Sequence, residues 1–349
     1  MLSCRSYIFS LMRDKRVGFP HIMVKAVLRF LSWIYAQAVR LVALGYKTGL
    51  RRRYRVGAPV VSVGNITLGG TGKTPFVMFI ADYFITRTRK PAVLTRGYGG
   101  DENRMLAAEL PEVPVFVGQD RVKEARGAVR ATRDVLVLDD GFQHRRIERD
   151  LDILLLDAFS PFGNGCLFPR GVLREPISSV RRADILVLTK TDRINTEDRE
   201  DIVRRLAVLA PGKPVVLSRH KPSFLSDITG AVYAIDTLRH KRVLLFSGIA
   251  DPDYLAFLIE KQGAEIVSRH DYDDHHRYSD ADIGVIRACC VREKAEIIIT
   301  TAKDYVKVKD LNLSGVEEKI FVMNIEIDIV EGKENLVAGL NSVISCKRA

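Results

Sequence analysis

The chain has 349 residues, 47% apolar and 28% charged, which is ordinary for a soluble or peripheral protein and long enough for two domains with proper cores. Its formal net charge is +11, and residues 1–55 account for all of that excess, with twelve Lys/Arg against the single acid Asp14. A nucleic-acid binder spreads its basic residues over a folded face; here they sit on an N-terminal arm, which favours an anionic membrane surface and argues against nucleic acid. Five scattered cysteines without a C-x-x-C pair offer no metal-ligand spacing and suit a reducing cytosol.

Residues 1–21 lack the apolar run and cleavage site of a secretory signal. Residues 22–47 predict one amphipathic helix. At 100° per residue Lys25, Arg29, Arg40 and Lys47 share one side, and Val27, Leu31, Ile34, Ala38 and Leu41 take the other. The longest uncharged run, Phe30 to Val39, is ten residues, against the ~20 of a spanning helix. The helix is therefore expected to lie on a membrane, or to pack its apolar stripe on its own domain. Arg51, Arg52, Arg53 and Arg55 follow, each able to contribute ~1 kcal/mol near an anionic leaflet.

Next comes the stretch Val60 to Pro75. The β-branched run Val60–Val63 predicts a buried strand, and Phe76 to Phe84 a helix. Between them stand Thr67, Leu68, Gly69, Gly70, Thr71, Gly72, Lys73 and Thr74, a glycine-rich loop of the kind whose amides cradle phosphate at a helix N-terminus. In such loops the lysine, here Lys73, reaches the β/γ-phosphates, and the hydroxyl of Thr74 ligates Mg²⁺. The usual pattern places a glycine where this chain has Thr67; Gly69 and Gly70 are expected to supply that freedom.

From Pro59 strands (59–64, 91–96, 114–117, 134–139, 151–157, 184–190, 214–218) alternate with helices (74–89, 102–109, 120–131, 198–208), which predicts a parallel sheet flanked by helices. A connector is expected over 222–238, and a second, smaller α/β unit after it. The implied organisation is an arm over 1–56, a phosphate-loop domain over 57–225 and a smaller lobe over 226–349, whose last segment returns to the first domain.

Three strand ends carry chemistry. The run Val135–Leu138 ends in Asp139 and Asp140, and an acid there orders the Mg²⁺ that bridges nucleotide phosphates; Asp139 is the candidate. The strand ending at Thr95 leads into Arg96, Gly97, Tyr98, Gly99, Gly100 and Asp101. Asp101 is a candidate base and Arg96 a candidate phosphate ligand, although a capped glycine turn explains the same letters. In the loop after Asp157, Arg174 suits bidentate phosphate contact and Glu175 a metal. Asp271 to Tyr278, with His275 and His276, is either a metal site or a solvated loop. Thr189-Lys190-Thr191-Asp192 matches the letters of a guanine-reading T-K-x-D and leaves open a GTPase or metal-insertion chaperone.

Together these segments resemble the tetraacyldisaccharide 4′-kinase family, from Leu31 to Tyr35 through Gly69–Pro75, Arg96–Tyr98, Gly118 with Asp120–Arg121, Asp139–His144, Arg174–Pro176 and Asp274–His275 to Lys303–Asp304. The resemblance implies an α/β fold of the P-loop NTPase type with a smaller α/β domain and an amphipathic N-terminal helix. It implies ATP and Mg²⁺, a tetraacyldisaccharide 1-phosphate acceptor, a lipid IVA product, and a peripheral place on the cytoplasmic face of the inner membrane, with no stable protein partner. By carry-over Asp101 is the catalytic acid/base and His275 its partner, with Lys73 beside the phosphates. Thr74, Asp139 and Glu175 fall to the metal, and Arg96, Tyr98, Arg121, Asp140, Gln143, His144 and Arg174 to the substrate. Asp101 and His275 are expected in different domains, so that closure brings them together.

Overall fold

The structure, a computed structural model, describes residues 12, 19–97 and 100–345. In chain order the elements are α1 (Phe19–Lys47), β1 (Val60–Asn65), α2 (Lys73–Ile85), β2 (Pro91–Thr95), α3 (Asp101–Glu109), β3 (Val115–Val117), α4 (Arg121–Arg130), β4 (Val135–Asp139), β5 (Leu151–Asp157) and β6 (Ile185–Thr189). There follow α5 (Thr196–Leu209), β7 (Val215–Asp227), β8 (Val232–Ala234), β9 (Arg242–Ser247), α6 (Pro252–Lys261), β10 (Glu265–Asp271), α7 (Asp280–Arg292), β11 (Ile297–Thr300), α8 (Ala302–Val308), β12 (Ile320–Glu331) and α9 (Lys333–Ser345).

The chain forms two compact units: residues 1–95, 118–219 and 329–349 make unit 1, and 96–117 with 220–328 make unit 2. In unit 1 the parallel strands run β7-β6-β5-β1-β4-β2. β1 is central, and all six of its residues are buried between β4 and β5. Runs such as Val-Leu-Val-Leu in β4 and Ile-Leu-Leu-Leu in β5 are apolar without alternation because a parallel sheet is covered on both faces. Ligands in such sheets sit at the carboxyl ends of the strands, and the phosphate loop, Asp139, Asp157 and Thr189 all occupy those ends. Gly64 is needed where β1 passes the turn after β4, since an added Cβ would lie 2.6 Å from the Phe142 amide nitrogen.

In unit 2 the strands run β10-β9-β11-β12 and on to the later part of β7, with β8 antiparallel to β7. The expected connector at 222–238 is therefore largely strand. Pro222 interrupts the pattern that would have predicted it. The segment after β2 also differs from expectation: α3 packs against α8, which places 96–117 with unit 2.

Helix α1 docks on unit 1 through a narrow face on which Ser32, Ala36 and Gly45 are buried and Leu28, Tyr35 and Val39 half-buried. Ser32 Oγ donates to Leu167 O at 2.7 Å and accepts from the Arg170 amide at 2.9 Å, and Tyr35 OH donates to Arg174 O at 2.9 Å. The larger apolar residues on the other side point away: Phe30, Leu31, Trp33, Ile34 and Leu41 are exposed, Trp33 at 60% and Leu41 at 68%. By length and composition alone the helix is apolar enough to cross a bilayer.

Candidate active site

The phosphate loop is anchored on both sides. Thr67 bridges Leu173 and the Leu68 amide donates to Val172 O at 2.7 Å, while Asn65 Nδ2 donates to the buried Thr71 Oγ1 at 2.9 Å. Gly72, left-handed at φ 81°, turns the chain into α2. With no side chain of its own, it leaves the first-turn amides for an anion. Gly69, at φ 123°, faces open space where a Cβ would stand. Lys73 is the first residue of α2 and Thr74 the second.

Asp139 ends β4 opposite Val63 of β1 and is buried. The next residue is left-handed, at φ 50°, which turns the Asp140 carboxylate toward three cations. Arg174 grips it with two bonds, Nη2 to Oδ1 at 2.7 Å and Nη1 to Oδ2 at 2.8 Å, and Lys73 Nζ lies 3.8 Å from Oδ1. Arg121, itself buried, donates to the Asp140 carbonyl at 3.1 Å. Burial alone would raise the Asp140 pKa. The Arg174 hydrogen bonds, with the charges of Lys73, Arg174 and Arg121, overcome it and hold the carboxyl well below the usual range. Arg174 also donates to the Asn65 side-chain oxygen, and Gln143 Nε2 donates to Asn65 O at 2.9 Å. Thus Lys73, Arg121, Asp140, Gln143 and Arg174, predicted one by one, are brought to one place at the strand ends.

Glu175, predicted for metal, is occupied otherwise. Its buried carboxylate accepts from Arg145 at 2.8 Å, from Ser179 Oγ at 3.0 Å and from Arg182. Burial raises its pKa, and the two guanidiniums more than reverse this. It braces the segment that carries Arg174. His144 is half-buried near Arg121, Arg146 and Arg149; burial first and these cations second depress its pKa to about 4, leaving a neutral imidazole at pH 7.

The remaining predicted residues lie in unit 2. Arg96 is exposed on the strand-to-helix segment. Tyr98 falls outside the described residues, as does the Asp101 side chain, while the Asp101 backbone opens α3 after the left-handed Gly100. His275 is left-handed, at φ 64°, with Nε2 3.7 Å from Asp274 Oδ2, and Lys303 Nζ donates to Asp274 Oδ1 at 2.9 Å. Asp101 and His275 thus belong to one unit rather than two, because α3 packs on α8.

Sequence reading missed the support under the loop. Lys190 Nζ donates to Gly70 O at 2.7 Å and to Asp157 Oδ2 at 2.6 Å, so the T-K-x-D letters serve the phosphate loop. For Mg²⁺, the donor chemistry fits. The ion takes hard oxygens, keeps several waters and binds through one or two protein groups plus phosphate; Thr74 and Asp139 offer a hydroxyl and a carboxylate on adjacent elements. Among the described residues no three His, Cys, Asp or Glu side chains group as a dedicated cage, and such a two-ligand site needs none.

A family model for tetraacyldisaccharide-1-P 4′-kinase matches residues 24–104 and 99–345. The tetraacyldisaccharide 4′-kinase of Anaeromyxobacter sp. (strain K) is 37% identical, with 86% of this chain and 85% of that one covered. The chain belongs to the tetraacyldisaccharide 4′-kinase family. The kinase from Desulfatibacillum aliphaticivorans is 34% identical over 96% of each chain. The crystal structure of "apo" form LpxK from Aquifex aeolicus in complex with ATP superposes with a TM-score of 0.72 at 29% identity, covering 92% of this chain and 99% of that one. The protein is thus a phosphotransferase with an alcohol acceptor, the lipid A 4′-kinase, and the GTPase and chaperone readings are not favoured.

Proposed function

We infer that this kinase moves the γ-phosphate of ATP, held with Mg²⁺, to the 4′-hydroxyl of a tetraacyldisaccharide 1-phosphate at the cytoplasmic face of the inner membrane, giving lipid IVA. The observation that carries this reading is the convergence of Lys73, Arg121 and Arg174 on Asp140 beside the open N-terminus of α2. Phosphoryl transfer depends on positioning and charge stabilisation rather than covalent help from protein, and this cluster suits both. Lys73 and the loop amides hold the β- and γ-phosphates, and Arg174 pairs with a transferring oxygen. Thr74 and Asp139 would hold the Mg²⁺, which when bound neutralises phosphate charge. Asp101 takes the proton of the attacking hydroxyl and His275 shares it. The exposed apolar face of α1, with Lys25, Arg29, Arg40 and Arg51–Arg53 close by in the chain, supports an enzyme lying on an anionic bilayer, where an acyl-anchored sugar presents its headgroup.

The test is transfer of radiolabelled γ-phosphate from ATP to tetraacyldisaccharide 1-phosphate in mixed micelles. Labelled lipid is expected with ATP and far less with GTP. Lys73→Ala is expected to lower the rate by about 100-fold or more with an unchanged circular dichroism spectrum. A preference for GTP, or a near-normal rate in Lys73→Ala, overturns the reading.

A further inference from the structure

The underside of the phosphate loop is held by the end of β6. Lys190 is left-handed, at φ 57°, and its side chain is only 2% exposed. Its ammonium donates to the Gly70 carbonyl at 2.7 Å and to Asp157 Oδ2 at 2.6 Å. The preceding hydroxyl, Thr189 Oγ1, is buried and shares its proton between Thr71 O at 3.1 Å and Leu156 O at 3.3 Å. Asp157 is itself fixed, its Oδ1 accepting from the Phe159 amide at 3.0 Å.

An ammonium buried this deeply persists only with its charge matched and its protons bonded, so the arrangement is specific to these partners. Its geometric effect follows from the planar trans peptide, in which C=O and N–H point in opposite directions. Pinning Gly70 O fixes the plane of the Gly70–Thr71 peptide, whose N–H turns back to Gly69 O at 3.2 Å and tightens the loop. Pinning Thr71 O fixes that of Thr71–Gly72, whose N–H faces away from β6 at the entry to α2. Gly69, Gly70 and Gly72 would otherwise allow these planes to swivel, since glycine has the widest conformational freedom. The loop gains order from below, through its carbonyls.

We propose that Lys190, with Asp157 and Thr189, is a positioning group for phosphoryl transfer: it holds the loop's shape and preorients the Gly72 amide toward nucleotide phosphate, and leaves the lipid acceptor untouched. This rests on the reading that the loop binds ATP. The variants are Thr189→Val, which deletes one donor at constant shape, and Lys190→Met/Asp157→Leu, which removes the buried pair together so that no lone charge remains. Each is assayed for KM of ATP, KM of tetraacyldisaccharide 1-phosphate, and ATP affinity by calorimetry, with Lys73→Ala in parallel. The double variant is expected to raise KM for ATP about tenfold or more, and Thr189→Val several-fold, with KM for the lipid unchanged. Folded variants that keep the parent KM for ATP overturn the proposal, as does an equal rise in both KM values. If the double variant does not fold, Thr189→Val decides by the same criterion. Loss of ATP affinity in Lys73→Ala alone rejects the positioning role and keeps the loop; unchanged affinity in all three rejects the loop as the ATP site.

Discussion

His144 makes the clearest demand on pH. Burial and the nearby Arg121, Arg146 and Arg149 hold its pKa at about 4, against 6.5 in an unfolded chain. The folded state therefore binds fewer protons than the unfolded one between those values, so stability falls as pH drops from 6.5 toward 4 and the penalty is complete below. His144→Gln is expected to show a shallower loss of Tm across that window, measured by thermal melts at constant ionic strength; parallel curves for parent and variant would reject the role. The contrast with Asp140 is instructive. Both groups sit among cations at the strand ends, but a carboxylate is stabilised there as an anion while an imidazole is kept neutral. At the level of single residues, the sequence makes local motifs legible. Lys73, Thr74 and Asp139 could be read because each stands at a fixed offset from a strand. The engagement of Glu175 by Arg145, 30 residues earlier, depends on a fold that no spacing encodes.

At the scale of elements, the glycines around β1 divide by what surrounds them. Gly64 is packed against Phe142, whereas Gly69 has a positive φ in open space. Gly64→Ala is expected to destabilise by about 1–3 kcal/mol or more, and Gly69→Ala by less, because its added Cβ meets no neighbour and only the backbone is strained. Chemical denaturation that ranks Gly69→Ala as the worse of the two would contradict the packing argument. Helix α1 invites a similar separation. Changing Arg51, Arg52, Arg53 and Arg55 together to Ser is expected to release protein from anionic vesicles and to remove most of the salt dependence, because exposed charges are screened over ~8 Å at physiological strength. Changing Trp33 and Leu41 to Asp is expected to weaken binding at every salt concentration. Sedimentation that responds to neither set would place membrane association elsewhere in the chain. The strand pattern of unit 1 was visible because buried parallel strands are continuous apolar runs. β7 beyond residue 219 was not, since Pro222 and the polar residues around it hide a strand that pairs with β8.

For the whole molecule, the order of the chain matters as much as its contacts. Unit 1 is completed by residues that follow unit 2 in the sequence: α9 lies against β5 and β6 with Leu336, Leu340 and Val343 buried. Gly339 fits so closely there that a Cβ would stand 2.8 Å from Ile185 Cδ1. A protein stopped after Asp328 is expected to lose the rise in Tm that ATP gives the parent, as read by differential scanning fluorimetry; an undiminished rise would show that α9 is dispensable. On the ribosome this arrangement imposes a sequence of events. Strands β5 and β6 wait without this cover while residues 220–328 are made, and α9 then closes over them. A polypeptide abandoned by the ribosome before that helix appears would present the backs of β5 and β6 to cellular proteases, so that synthesis through α9 becomes a condition for a competent enzyme.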